Sequence, residues 1–178
     1  MRRGVALALA LFMASPGAAP ASPSAPRDES ALALPVPVIA QTREHCGPAA
    51  LQMVMRYYHA DSMAEAQAEA AYNPVLRGAL ITELAAAARR AGFEATVEKP
   101  GVDSLAALLG EGVPPILLID AGIGPLQKGH YVVLVGWDSS KERVTIHDGG
   151  SKPRTTGSEG LMKRWASAGG QALVVRRP

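Results

Sequence analysis

One stretch of the sequence decides how the rest of the chain must fold: Gln41-Thr42-Arg43-Glu44-His45-Cys46-Gly47-Pro48-Ala49-Ala50-Leu51. Pro48 has its φ fixed near the helical value and lacks the N–H that a first-turn residue cannot use, so it predicts a helix that begins at position 48. Cys46 then lies at the cap of this helix. Its sulfur would face the partial positive charge of the helix N-terminus, which favours the thiolate and makes Cys46 a nucleophile near neutral pH.

Gln41 lies just upstream of this cysteine in an extended segment. Its side-chain amide is close enough to join the backbone N–H of Cys46 in binding an oxyanion. A single cysteine, such as this chain has, is more often a small buried hydrophobe than a nucleophile. Here the Gly-Pro helix entry, the preceding glutamine and a later histidine that opens an apolar strand favour the catalytic interpretation.

The N-terminus has the pattern of a secretory signal peptide. Arg2 and Arg3 precede an apolar run over residues 4–14 that is too short to span a bilayer, and an Ala-x-Ala site over residues 19–21 places cleavage before Ser22. Cleavage removes both arginines and reduces the formal net charge of +2 to zero. Charge therefore favours neither nucleic acid nor an anionic membrane as a partner. We expect an exported protein, periplasmic or secreted, in which an unpaired thiol indicates use.

The length of 178 residues suits one domain whose core needs no disulfide. We expect a signal peptide over residues 1–21 and a flexible segment rich in Ala, Pro and Ser over residues 22–34. Residues 35–178 then form one folded domain.

Hydrophobic periodicity predicts helices in the first half of the chain and antiparallel strands in the second. The helices are expected at 48–58, 61–71, 80–91, 103–109 and 159–165. The strands are expected at 93–97, 116–119, 130–137, 143–147 and 171–175, with 148–157 as a polar, Gly-rich loop. The third and fourth strands form an antiparallel hairpin. Helices followed by antiparallel strands define an α+β fold.

Four histidines compete for the role of general base. His45 adjoins Cys46, and its side chain would turn away from the sulfur in an extended segment. His59 ends the central helix, where its positive charge suits the helix C-terminus. His147 ends a strand whose facing is undetermined. His130 opens the apolar strand directly after a Gly-bearing loop, so its ring would project from a rigid edge into a cleft, and we predict that it is the base.

The group that orients His130 is expected from the neighbouring strand. Asp148 follows the return strand of the hairpin and therefore lies beside His130, whereas Asp138 lies at the opposite end. A carboxylate on Nδ1–H would select the tautomer that leaves Nε2 facing the sulfur. The histidines and the cysteine have no metal-ligand spacing, and no phosphate-binding loop is present, so we expect neither a metal nor a cofactor.

Together these motifs resemble those of the C39 peptidases of the papain-like clan, the bacteriocin-processing double-glycine peptidase group and its stand-alone relatives. The resemblance rests on Gln41 followed by residues 46–51, on the strand at 129–136 and on residues 144–148. It extends over about residues 35–175, nearly the whole of the expected mature chain.

The resemblance implies a papain-like fold with N-terminal helices packed on an antiparallel sheet. It also implies that Cys46 is the nucleophile, His130 the base, Asp148 its orienting residue and Gln41 part of the oxyanion hole. The chain differs from the family pattern in having His45 where the bacteriocin transporters often carry Asp. It also has Gly after Asp148, where Pro is frequent.

Three functions are compatible with these residues. An exported cysteine peptidase would cut peptide bonds, after small residues such as Gly, through an acyl-enzyme. A cysteine acyltransferase or amidase on the same scaffold would use the same residues but give the acyl group to an amine. A catalytically silent peptide-binding module has no need of the complete Cys, His, Asp and Gln set. We expect a peptide or protein substrate, no nucleic acid, and no stable membrane insertion after signal cleavage.

Overall fold

The computed structural model describes residues 32–42 and 44–178. The predicted signal peptide and most of the predicted flexible segment lie outside these residues. Their elements, in chain order, are β1 (Leu32–Ala33), α1 (Cys46–Tyr57), α2 (Asp61–Glu69), α3 (Ile81–Arg90), β2 (Glu94–Glu98), α4 (Val102–Gly110), β3 (Ile116–Asp120), β4 (Gly129–Asp138), β5 (Arg143–His147), β6 (Arg154–Gly157), α5 (Ser158–Ser167) and β7 (Ala172–Arg176).

The strands form one antiparallel sheet in the order β2-β7-β3-β4-β5-β6. β4 is its ten-residue central strand. β3 pairs with the first half of one edge of β4, and β1 pairs with the second half of the same edge. β5 returns along the other edge, with a shift of register between Leu134 and Gly136. The predicted hairpin is therefore formed, and β5 ends with His147 opposite Val133 of β4.

Side chains of β4 alternate between two hydrophobic layers, as the period of a strand requires. Val133 and Val135 pack with α1, α2 and α3 on one face of the sheet. Val132 and Leu134 pack with α4 and α5 on the other face. α1 is the most enclosed helix, with every residue from 47 to 55 buried. The predicted α+β architecture, with N-terminal helices packed on an antiparallel sheet, is confirmed.

The start of α1 differs from the prediction. The helix begins at Cys46, two positions before Pro48, and His45 is its N-cap residue. No N–H in the first turn of a helix has an acceptor within that helix, so proline fits the third position as well as the first. The first intrahelical bond is donated by the N–H of Ala49 to the carbonyl of His45, at 2.9 Å. Cys46 therefore belongs to the helix itself.

Two strands were not predicted. β6, with the sequence Arg-Thr-Thr-Gly, lies within the stretch expected to be a loop. It has no apolar alternation to reveal it, because it is an edge strand held to β5 by main-chain pairing and largely exposed. β1 begins before the predicted domain boundary at residue 35. In the described part of the chain, no helix has the length and apolar character needed to cross a membrane.

Candidate active site

The N-terminus of α1 approaches the start of β4 closely, and this contact places the cysteine. A Cβ on Gly47 would lie 3.1 Å from Cβ of Ala79 and 3.2 Å from Cδ2 of Tyr131. The hydroxyl of Tyr131 in turn donates to the carbonyl of Ala79, at 3.0 Å. Glycine thus lets helix and strand meet, and half-buried Cys46 lies directly beside the first residues of β4.

The surroundings of the Cys46 sulfur favour its ionised form. Burial acts to raise the pKa of Cys46. A hydrogen bond with the His130 side chain, hydrogen bonds from the backbone N–H groups of Tyr131 and Gly47, and the charge of His130 act against it, and the pKa lies below its ordinary value. The thiolate is the nucleophilic form of cysteine, so these surroundings make Cys46 the candidate nucleophile of the site.

A main-chain carbonyl binds the ring of His130 on the side away from the Cys46 sulfur. Its Nε2 lies 3.0 Å from the carbonyl oxygen of Asp148. A carbonyl can only accept, so Nε2 carries the proton of this bond and Nδ1 is left for the sulfur. The expected arrangement, with Nδ1 on a carboxylate and Nε2 facing Cys46, is therefore reversed in the structure.

Asp148 lies beside His130, but its carboxylate contacts a different residue. Oδ2 accepts from Nε of Arg154 at 2.5 Å, and Oδ1 accepts from the N–H of Gly150 at 3.4 Å. The pairing of β6 with β5 sets Arg154 opposite Ile146, within reach of the aspartate. Because β6 was expected to be a loop, the sequence did not reveal this competitor. Asp148 meets the imidazole through its backbone oxygen.

Gln41 reaches the same backbone oxygen. Its Nε2 donates to the carbonyl of Asp148 at 3.3 Å, and its own backbone N–H donates to the carbonyl of Gly149 at 3.2 Å. Gln41, Cys46 and His130 all line one open cleft of about 1260 Å³. Asp148 does not line this cleft; its neighbour Gly149 does. The structure thus brings together the four residues selected from the sequence, Asp148 by its main chain.

One wall of the cleft is a tight turn between α2 and α3. The Oδ1 of Asn73 accepts from the N–H groups of Val75 and Leu76, at 2.9 and 3.1 Å. Leu76 and Leu80 line the cleft and remain about half exposed, at 55% and 52%. This wall therefore adds exposed apolar surface to the cleft.

The other three histidines have different surroundings. His45 stacks on Tyr72, with ring centroids 4.2 Å apart, and its Nδ1 lies 2.9 Å from Oε2 of Glu69. His59 is exposed after the end of α1. His147 is buried, and its Nδ1 has no hydrogen-bond partner among the described residues. His130 is the histidine whose side chain bonds to the Cys46 sulfur.

The buried position of His147 predicts acid sensitivity. Burial lowers the pKa of His147, although the charge of Asp148 acts to raise it. The unfolded chain therefore binds the proton first as the pH falls below the ordinary value of about 6.5, and stability decreases from there down to the lower folded pKa, by up to about 1.4 kcal/mol per pH unit. We expect this contribution to the pH dependence of the free energy of unfolding to vanish in His147→Gln. Urea unfolding at a series of pH values measures it, with His59→Asn as the matched control that should keep the wild-type slope.

Within residues 32–42 and 44–178, no group of three or more His, Cys, Asp or Glu side chains is placed to hold a metal ion.

A cysteine at a helix N-terminus beside a histidine at the start of a sheet strand is typical of papain-like cysteine peptidases. The sequence profile of the Peptidase_C39 like family matches residues 33–173, so the chain belongs to that family. No curated protein matches the sequence.

Solved structures of the same fold agree with this membership. The peptidase domain of Streptococcus ComA, a bifunctional ABC transporter of a quorum-sensing pathway, superimposes with a TM-score of 0.63 at 22% identity, covering 83% of this chain and 99% of that one. A double-glycine-motif protease from an AMS/PCAT transporter, in complex with the leader peptide, gives 0.62 at 22% identity, with 82% and 94% covered. A Bacillus anthracis protein assigned to the C39-like peptidases gives 0.68 at 18% identity, with 82% and 98% covered.

Proposed function

We propose that this protein is an exported cysteine peptidase that hydrolyses peptide bonds through an acyl-enzyme. Cys46 is the nucleophile, His130 the base, Asp148 the residue that orients it, and Gln41 part of the oxyanion hole. The observation that carries the proposal is that Cys46, at the start of α1, and His130, at the start of β4, line one cleft, where His130 lowers the pKa of the thiol against the effect of burial. Family membership and fold support the same class of enzyme.

The proposed reaction uses each of these groups in turn. The thiolate attacks the carbonyl carbon of the scissile bond, and the resulting oxyanion accepts from the Gln41 amide and from the backbone N–H of Cys46, which as a first-turn residue has no acceptor in its own helix. The His130 imidazolium then gives its proton to the leaving amine. Water, activated by the neutral imidazole, attacks the thioester and releases the acid together with the free thiol.

The substrate we propose is a peptide or protein cut after a small residue such as glycine. The apolar wall formed by Leu76 and Leu80 can bind side chains further from the scissile bond. A solved structure with the same fold is that of a double-glycine-motif protease, which supports glycine as the first residue to test.

Export is proposed from the sequence of the N-terminus. The basic start, the short apolar run and the Ala-x-Ala site together favour cleavage before Ser22 and a periplasmic or secreted mature protein. Mass measurement of the mature protein from the native host tests this part.

Two measurements test the enzymatic proposal. An electrophilic thiol probe, read by the mass of the intact protein, should add once to Cys46 at pH 6. A mixture of peptides with glycine pairs should be cleaved, and products read by mass with and without an added amine should remain acids. Amide products would instead identify an acyltransferase. A protein that neither labels at pH 6 nor cleaves would be a silent peptide-binding module.

Gln41→Ala tests the oxyanion hole. The lost donor acts mainly in the transition state, so kcat should fall by roughly 100- to 1000-fold while KM changes little. Steady-state kinetics measure kcat and KM separately. Gln127→Ala is the matched control, because Gln127 is exposed and lies outside the cleft. A loss confined to KM would show that Gln41 only binds the substrate.

A further inference from the structure

One main-chain oxygen serves two groups of the candidate site. The carbonyl of Asp148 accepts from Nε2 of His130 at 3.0 Å and from Nε2 of Gln41 at 3.3 Å. The next carbonyl, of Gly149, accepts from the backbone N–H of Gln41 at 3.2 Å. The carbonyls of Asp148 and Gly149 thus hold Gln41, which precedes α1, close to His130 of β4.

Two independent features of this point favour glycine at position 149. Its φ is +91°, in the region that residues with a side chain rarely adopt. A Cβ at this position would also overlap Cγ, Cδ and Nε2 of Gln41. The neighbouring Gly150 meets neither condition, because its φ is not positive and a Cβ there would lie 3.5 Å from Oδ1 of Asp148 and 3.8 Å from the carbonyl of Lys152.

We propose that Gly149 is a positioning residue of the site: its turn aims the Asp148 carbonyl at His130 and Gln41, and this backbone oxygen, rather than the Asp148 carboxylate, fixes the imidazole. The carboxylate is occupied by Arg154. An acceptor on Nε2 keeps the tautomer in which Nδ1 can take the thiol proton, and it stabilises the imidazolium that results. The inference rests on the proposed function, since it specifies how that site is held.

The experiment compares Gly149→Ala with Gly150→Ala in the full chain, using iodoacetamide as the thiol probe. We expect Gly149→Ala to move the pH profile of Cys46 alkylation upward towards that of a free thiol near pH 8.5, with a loss of about tenfold in rate at pH 6 for each unit of the move. Gly150→Ala should keep the wild-type profile. Urea unfolding midpoints show whether both variants are folded.

A second comparison separates the backbone oxygen from the carboxylate. The proposal requires a greater loss of low-pH alkylation in Gly149→Ala than in Asp148→Asn, because the asparagine variant keeps the carbonyl. If Gly149→Ala does not fold, Gly149→Asn takes its place, since asparagine tolerates positive φ but still adds the Cβ. Combined with Gln41→Ala, which removes the overlapping atoms, Gly149→Asn should then recover low-pH alkylation.

The outcomes distinguish this inference from the proposed function. A folded Gly149→Ala that keeps the wild-type profile, or a greater loss in Asp148→Asn, overturns the inference while peptide hydrolysis by the wild type can persist. A wild type that alkylates at pH 6 and responds to Gly149→Ala, but hydrolyses no peptide, supports the inference and overturns the proposed function. A wild type with the profile of a free thiol overturns both.

Discussion

Cys46→Ala should abolish peptide hydrolysis and leave the free energy of unfolding within about 1 kcal/mol of the wild-type value. The thiol is half-buried at the entrance of α1, so its removal opens no enclosed cavity. Alanine also has the highest helix propensity, which offsets part of the lost contact. Activity against a glycine-containing peptide and urea unfolding curves measure the two quantities.

The opposite result would identify Cys46 as a packing residue. A loss of about 2 to 5 kcal/mol is typical when a large core side chain is truncated to alanine. Met53→Ala supplies that comparison, because Met53 is fully buried in the same helix. If Cys46→Ala destabilises the protein as strongly as Met53→Ala, and the wild type shows no hydrolysis, the nucleophile assignment fails.

His130→Ala should have the second largest effect. It removes both the hydrogen bond and the positive charge that lower the pKa of Cys46, and leaves the burial that raises it. The alkylation profile of Cys46 should therefore move to that of a free thiol, near pH 8.5 or above. Hydrolysis should fall by at least about a thousandfold, because His130 is the group proposed to protonate the leaving amine.

The matched control for His130 is the neighbouring buried histidine. His147→Gln should keep the alkylation profile, since His147 is not a partner of the sulfur. Rates of iodoacetamide labelling between pH 5 and 10 show which of the two histidines lowers the pKa of Cys46. A profile that is unchanged in His130→Ala and shifted in His147→Gln would transfer the role of base to His147.

The sequence predicted those parts of the fold in which side chains alternate between solvent and core or are buried on both faces. β4 was predictable because residues 131–136 are all buried, which requires an unbroken apolar run. α1 was predictable from its apolar residues, but its first residue was not, because every position of a first turn leaves its N–H without a partner. β6 is exposed and polar, and main-chain pairing alone defines it.

The candidate site was predictable in its residues but not in its contacts. Order along the chain and an antiparallel hairpin were enough to place Asp148 beside His130. The atom that makes the contact depends on the turn at Gly149 and on the competing guanidinium of Arg154, which neither spacing nor composition reveals. An Asp-Gly pair at the end of a strand indicates a turn, and this was the one signal that could have led to Gly149.

The two halves of the site come from distant parts of the chain. Gln41 precedes α1 and Cys46 is its first residue, whereas His130 lies on β4 and Asp148 and Gly149 follow β5. A nascent or unfolded chain therefore carries only an ordinary thiol. The long-range pairing of β4 with β3 and β5 must be completed before the imidazole reaches the sulfur, and contacts of such sequence separation form late and slowly. The lowering of the Cys46 pKa by His130 thus depends on folding. Local opening of this sheet should raise that pKa again.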